Sequence, residues 1–219
     1  MPESEGSATR RSYDSVARCY VDEIGDELGG KPLDRALLST MAELAGSGLV
    51  ADIGCGPGHV AAFLGRRSVR TIGLDLSHSM CAIGRRGTSL PFCAADMTKL
   101  PLASGSLTGI VCLYAVIHLE AVCRGRAYRE FARTLSPNGY ILISFHVSDA
   151  EVPAGGARTF TEWWGVEVLL TFRFLDPTDE ISMLENAGLK VTARVDREPY
   201  PGNEHPSKRC YLLAQRQAD

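Results

Sequence analysis

The sequence predicts an α/β fold built on a doubly wound, mostly parallel sheet, and three observations carry that prediction. Apolar runs of five or six residues alternate with helical or loop segments between Leu49 and Phe145. The runs are nearly continuous in apolar character, the pattern of strands covered on both faces. The first run ends in a glycine-rich turn, Asp52-Ile53-Gly54-Cys55-Gly56-Pro57-Gly58, with a helical segment after it.

Each element follows from local signals. Residues 1–11 are polar and read as a disordered lead-in. A first helix is expected from Tyr13 to about Leu28, with Tyr13, Val16, Ala17 and Tyr20 at helical spacing and Gly29-Gly30 as its stop. Pro32 suits the first position of a second helix, whose apolar face is read as Leu33, Leu37, Met41 and Leu44 and which Gly46 ends. Five strands are expected at Leu49–Ile53, Val69–Leu74, Leu90–Ala94, Gly109–Leu113 and Tyr140–Phe145. Helices are expected at His59–Leu64, at Ser77–Arg86 with Ser77 as N-cap, and at Val122–Leu135. Residues 148–158 read as a loop, and the aromatic stretch Thr159 to Leu175 as an inserted cap whose tail, Val166–Phe174, is a strand or half of a hairpin. Asp176-Pro177-Thr178-Asp179 is a helix start, and Gly188 its end. Lys190–Arg197 and Arg209–Arg216 complete seven strands, as an antiparallel pair at the sheet edge. The chain then divides into a lid (1–31), a core (32–147), a cap (148–175) and a final helix with two strands (176–219), all in one domain.

Composition bounds the function. The 219 residues carry a formal net charge of −3, which disfavours an electrostatically driven nucleic-acid binder. The seven cysteines are odd in number, include no C-x-x-C pair and sit partly in apolar runs, so buried reduced thiols are expected in place of a disulfide framework or zinc site. The N-terminus lacks the apolar core of a secretory signal, and the longest apolar stretch, Leu107 to Leu119, is too short to span a bilayer. A cytoplasmic location without membrane attachment is expected, as a monomer or homodimer.

The glycine turn is the sharpest chemical signal. Glycines at a strand's carboxyl end let a ligand approach the backbone. Here the spacing is G-x-G-x-G, tighter than the dinucleotide fingerprint, and Asp52 stands two residues before the first glycine. A carboxylate there suits a cationic ligand, and not a pyrophosphate. Asp75 ends the second strand, at the separation at which an acid takes ribose hydroxyls. Asp96 ends the third. Three acids at successive strand ends suit a ligand with a ribose, a base amino group and a positive charge, as in S-adenosylmethionine (SAM).

With those motifs, and with Leu113-Tyr114-Ala115-Val116-Ile117-His118 and Leu135-Ser136-Pro137-Asn138-Gly139-Tyr140, the chain resembles the class I SAM-dependent methyltransferases, Rossmann-like enzymes, over roughly residues 13–216. The resemblance implies that the backbone of Gly54, Cys55 and Gly56 lies under the methionyl part of SAM. It implies that Asp75 holds the ribose, that Leu76 and Met80 flank the adenine, and that Asp96 and Met97 face its amino edge. Tyr114 would sit near the sulfonium. Tyr13-Asp14-Ser15-Val16-Ala17-Arg18-Cys19-Tyr20 resembles the family's N-terminal lid, with Tyr13 and Tyr20 closing over SAM.

The remaining candidates each carry two readings. Asp96 is also placed to cap the following turn. His118 follows the fourth strand, where it is a candidate base or else a hydrogen-bonding group for the lid or backbone. Tyr13 is the second candidate for that proton. His146 ends the fifth strand on the substrate side. Trp163 and Trp164, with Phe172 and Phe174, are read as an aromatic acceptor wall or as ordinary packing. No metal is expected. The function implied is methyl transfer from SAM to an O, N or C nucleophile of a small acceptor with an apolar or aromatic portion, possibly in natural product biosynthesis. A tRNA or protein methyltransferase, or a SAM-binding protein without methyl transfer, is the alternative. A nicotinamide oxidoreductase is disfavoured by Asp52 and the tight turn.

Overall fold

The computed structural model describes residues 5–218. Nine strands run in chain order: β1 (Leu49–Ile53), β2 (Arg70–Asp75), β3 (Phe92–Ala94), β4 (Leu107–Leu113), β5 (Leu135–Ser148), β6 (Ala157–Trp163), β7 (Val166–Arg173), β8 (Leu189–Arg197) and β9 (Lys208–Arg216). Six α-helices accompany them: α1 (Glu5–Ile24), α2 (Pro32–Ala45), α3 (His59–Gly65), α4 (His78–Gly87), α5 (Ala121–Thr134) and α6 (Pro177–Asn186).

Seven strands form one sheet in the order β3-β2-β1-β4-β5-β9-β8. β1 to β5 pair in parallel, and β9 runs antiparallel to both β5 and β8. The antiparallel pair therefore forms the sheet edge, with β9 one strand in and β8 outermost. From β1 the chain winds outward to β3, then crosses back to β4 and β5 on the other side. That reversal opens a crevice at the carboxyl ends of β1 and β4, the place where open α/β sheets bind ligands.

Both faces of the sheet are covered. One core packs Ala127, Tyr128 and Phe131 of α5 and Leu184 of α6 against Ile110, Ile143 and Leu212. The other packs Leu38 and Met41 of α2 and Val60, Phe63 and Leu64 of α3 against Val50, Val111 and Leu142. The buried positions of α2 are Asp34, Leu38, Met41 and Ala45, so its inner face is rotated from the one expected and Leu44 points outward at 39% exposure. The expected face followed apolar residues alone, whereas the true face includes a buried carboxylate, Asp34.

The N-terminal helix corrects a second expectation. α1 begins at Glu5, so residues 5–11 of the expected disordered lead-in are helical; residues 1–4 lie outside the described residues. Its buried stripe is Ala8, Thr9, Ser12, Val16 and Ala17, small side chains that admit close docking. Ser12 Oγ accepts from Leu169 N of β7 at 2.8 Å. Asp14 accepts from Ser77 Oγ at 2.6 Å and Ser79 N at 2.9 Å, at the start of α4. Arg173 Nη2 of β7 donates to Glu5 Oε1 at 2.5 Å. These tertiary partners, absent from any local signal, hold a helix whose own composition is polar.

The inserted cap is an antiparallel hairpin, β6–β7, separate from the main sheet. Val168 and Leu170 bury against Val16 of α1, with Tyr13, Phe160, Trp163, Trp164 and Phe172 around them. Lid and cap thus share one apolar cluster. Ser77 caps α4 by accepting from Met80 N, and Asp176 caps α6 by accepting from Thr178 N, both as expected. All seven cysteines are free thiols, four of them buried. No helix among the described residues is long and apolar enough to cross a membrane.

Candidate active site

A cavity of about 870 Å³ opens at the carboxyl ends of β1, β2 and β4, beneath α1 and the hairpin. The glycine turn after β1 forms its floor. Gly54, Gly56 and Gly58 all have positive φ, at 70°, 53° and 88°. Gly54 has a second reason to be glycine, because a Cβ there would overlap the Ala115 side chain.

Asp52 and Asp75 stand on either side of this turn, both lining the cavity. Asp52 Oδ2 accepts from Ala61 N of α3 at 2.9 Å. Asp75 Oδ2 accepts from Gly56 N at 2.8 Å and its Oδ1 from Ser77 N at 2.7 Å. Asp75 therefore braces the glycine turn as well as facing the cavity. Neither carboxylate has a cationic side chain bonded to it among the described residues. Burial pushes Asp52 up to about 7, against the pull of His59 and the Ala61 N–H. Burial likewise pushes Asp75 up to about 6, against the two backbone N–H groups that it accepts. Two acids without a bonded counter-cation beside a glycine cradle, Asp52 buried and Asp75 half-buried, fit a ligand that brings both hydroxyls and positive charge. SAM meets that description. Asp96 lies at the rim, where its Oδ1 accepts from Thr98 N and Thr98 Oγ1 at 2.8 Å, so it caps the following turn while also lining the cavity. Leu76, Met80 and Met97 line the same end.

The other end is built from aromatic rings and imidazoles. Tyr13 and Tyr20 of α1 both line it and stand edge-to-face with ring centroids 6.1 Å apart. Tyr13 Oη lies 2.7 Å from His118 Nε2, and His118 Nδ1 lies 3.0 Å from Thr171 O of β7. A carbonyl only accepts, so Nδ1 carries the proton and Nε2 accepts from the Tyr13 hydroxyl. Burial lowers His118 to about 4, with the Thr171 carbonyl opposing and Arg173 adding to the shift. The imidazole is neutral, with both nitrogens engaged. Burial raises Tyr13 well above the ordinary tyrosine range.

Tyr114 ends β4 with φ at 54°, a left-handed conformation that turns its ring across the cavity. Its hydroxyl meets Tyr211 Oη at 2.7 Å, and Tyr211 in turn donates to Asp34. His146 ends β5, with its ring 5.0 Å from that of Tyr114 and its Nδ1 2.7 Å from Ser207 Oγ. Trp164, with φ at 53°, lines the cavity from the tip of the hairpin. Trp163 does not line it; it stacks on Trp164 at 4.1 Å and packs edge-on against Tyr13, Tyr20 and Phe172. Trp163 thus belongs to the lid–cap cluster and departs from the expected acceptor wall, because Trp164 stacks on it and takes the position facing the cavity.

Sequence reading did not single out a set of charged residues at this end. Lys31, Glu27, Glu204 and Arg209 line the cavity. Lys31 Nζ is 2.5 Å from Glu27 Oε2 and 3.7 Å from Glu204 Oε2, and Arg209 Nε is 3.2 Å from Glu204 Oε2. Glu204 also accepts from Arg197, which reaches Asp34 at 3.2 Å. Burial alone would raise Glu27, but the His59 hydrogen bond and the Lys31 charge override it and hold Glu27 down to about 2. Lys31 meets Glu204 and Arg197 meets Asp34 across most of the chain, so no spacing signals those contacts; Glu27–Lys31, Arg197–Glu204 and Glu204–Arg209 are near pairs, of which the first has helical spacing.

A doubly wound sheet with a ligand crevice at its switch point, a glycine cradle and two uncompensated acids defines an adenosyl-ligand-binding α/β protein. Residues 50–139 match the family model described as a methyltransferase domain. The chain is 31% identical to the methyltransferase GfsG of Streptomyces halstedii over 159 residues, 67% of this chain and 54% of that protein. It is 28% identical to a demethylmenaquinone methyltransferase of Beutenbergia cavernae over 137 residues, 60% of this chain and 55% of that one. The chain spans about half the length of these relatives. Among solved structures, the Burkholderia thailandensis 1,6-didemethyltoxoflavin-N1-methyltransferase with bound S-adenosylhomocysteine (SAH) superposes with a TM-score of 0.75 at 20% identity, covering 100% of this chain and 93% of that one. Residues 50–139 thus match a methyltransferase domain, and the fold of the chain is that of SAM-dependent methyltransferases, consistent with the class I family.

Proposed function

We propose that this protein transfers a methyl group from SAM to a small organic acceptor. The observation that carries the proposal is the pair of carboxylates without a bonded cation, buried Asp52 and half-buried Asp75, flanking the glycine cradle. In this reading the Gly54–Gly56 backbone and Asp52 take the amino-acid end of SAM, and Asp75 takes the ribose hydroxyls. Leu76 and Met80 flank the adenine, and Asp96 and Met97 stand at its edge. Tyr20, with Tyr13, covers the ligand. SAM supplies an electrophilic methyl group on a sulfonium.

The chain's own contribution is alignment and exclusion of water. Tyr114 narrows the cavity between its two ends. Trp164 and Phe172 offer flat apolar surface to the acceptor, and His146 a polar one. Tyr13 and His118 act as one hydrogen-bonded unit against the acceptor; either can move a proton only after the bond between them opens. The likeness to the toxoflavin enzyme, solved with bound 1,6-didemethyltoxoflavin, supports a small acceptor, here read as one of natural product biosynthesis, and so does the aromatic wall of Trp164 and Phe172.

The test is incubation with methyl-deuterated SAM and a panel of ring-hydroxylated, amine and carbon-acid acceptors, read by mass spectrometry. A product carrying the deuterated methyl group, lost in Asp75→Ala, is expected. Protein that fails to bind SAH by calorimetry overturns the proposal.

A further inference from the structure

Four histidines line the cavity, His59, His118, His146 and His205, and His118 and His146 differ in one decisive way. His118 has both nitrogens occupied, Nδ1 by the Thr171 carbonyl and Nε2 by the Tyr13 hydroxyl. His146 has one occupied, Nδ1 by Ser207 Oγ at 2.7 Å. Its Nε2 bonds to nothing among the described residues, and it is not among the buried polar atoms sealed off without a partner. The ring lines the cavity, so Nε2 is left open to it, whereas His59 and His205 are each held by a carboxylate, Glu27 and Asp149.

The groups facing His146 come from several elements. Tyr114 of β4 lies 5.0 Å away ring to ring, His205 of the β8–β9 loop 6.3 Å, and Phe174 6.0 Å. Lys31 and Arg209 stand over the Tyr114 ring, 5.2 and 5.8 Å from its centroid, each paired with Glu204. Tyr13 and His118 face it across the cavity. Burial, then Arg209, His205 and Lys31, hold His146 well below the ordinary imidazole range.

We propose that His146 is the catalytic base of this site and that the acceptor's nucleophile is an acidic hydroxyl on an aromatic or enolic ring. The inference rests on the methyl-transfer reading above. With Nδ1–H donating to Ser207 Oγ, Nε2 presents its lone pair to the acceptor O–H. That proton passes to Nε2. The oxygen forms its bond to the methyl carbon as the carbon–sulfur bond breaks with its electron pair left on sulfur, and the imidazolium then gives its proton to water. An acidic O–H on a planar ring gives its proton to an imidazole nitrogen more readily than an aliphatic alcohol does. Lys31 and Arg209 oppose charge on the ring yet favour the oxyanion formed beside it. The flanking rings of Tyr114, Phe172 and Trp164 match a planar acceptor.

The test uses 4-nitrophenol and 7-hydroxycoumarin as acceptor probes with SAM as donor, read by mass spectrometry of the methyl ether. The wild type is expected to methylate the probes. H146Q is expected to do so at least about tenfold more slowly while binding SAH, and the probes in SAH-loaded protein, with wild-type affinity. Ser207→Ala, which removes only the Nδ1 partner, is expected to give an intermediate rate. A wild-type rate in H146Q, or methylation of neither probe by the wild type, overturns the proposal. Failure of the wild type to bind SAH at all strikes instead at the methyl-transfer reading.

Discussion

Buried charge is handled in opposite ways at the two ends of the cavity. At the glycine turn, buried Asp52 and half-buried Asp75 accept hydrogen bonds only from backbone N–H groups among the described residues, and both are pushed toward the protonated form. At the acceptor end, Lys31, Arg197 and Arg209 are each matched by Glu27, Asp34 or Glu204 within the protein. The first end is electrostatically incomplete until a ligand arrives. The second is complete in itself and serves as a scaffold that holds Tyr114, through Tyr211, and the loop bearing Ser207. Catalytic folds commonly carry strain of the first kind where binding energy is to be realised.

Breaking the self-contained end should have the largest effect. Glu204→Gln leaves three buried cations without their shared anion, and removing one partner of such a cluster costs about 3–5 kcal/mol; a denaturant titration should show that loss, and a loss below about 1 kcal/mol would mean the network is solvated. At the ligand end, Asp75→Ala should weaken SAH binding roughly 100-fold, about 2.7 kcal/mol, by removing charge-assisted bonds to the ligand. Calorimetry measures it, and unchanged affinity would remove Asp75 from the site. Gly54→Ala should lower SAH affinity and cost about 1–3 kcal/mol of stability, since it adds a Cβ against Ala115 at positive φ.

The pH dependence sharpens the same contrast. Asp52 and Asp75 have folded values of about 7 and about 6, above the ordinary aspartate value near 3.9 in the unfolded chain. Between those values the folded state holds more protons than the unfolded one. Their contribution to ligand-free stability is therefore full at low pH and is lost as pH rises through about 6 to 7. Asp52→Asn should flatten that fall in a series of thermal melts. An equal slope in the variant would mean that Asp52 is not the titrating group. The smallest expected effect is Leu44→Gln, within about 0.5 kcal/mol, because that side chain faces solvent and not the core.

The same two ends differ in how much of them could be read from the chain. The glycine turn, Asp52, Asp75 and the alternation of strands with helices lie in local patterns, where strand end, turn and helix start are consecutive residues. The acceptor end is assembled from segments far apart: Tyr13 meets His118 across 105 positions, and Tyr211 meets Asp34 across 177. Residues 5–11 were unreadable as helix because their stability comes from docking on β7, with Ser12 joined to Leu169. Trp163 was unreadable for a similar reason: adjacent tryptophans give no sign of which one faces inward.

The central claim is that Asp52 and Asp75 await a ligand bearing positive charge and ribose hydroxyls. Calorimetric titration of SAM, at about pH 6 and about pH 8 in buffers of different ionisation enthalpy, tests it most directly. Binding that tightens at the higher pH, with net proton release at the lower one, is the predicted result. Folded protein that binds no SAM, or binds it with no proton release at either pH, would contradict the account.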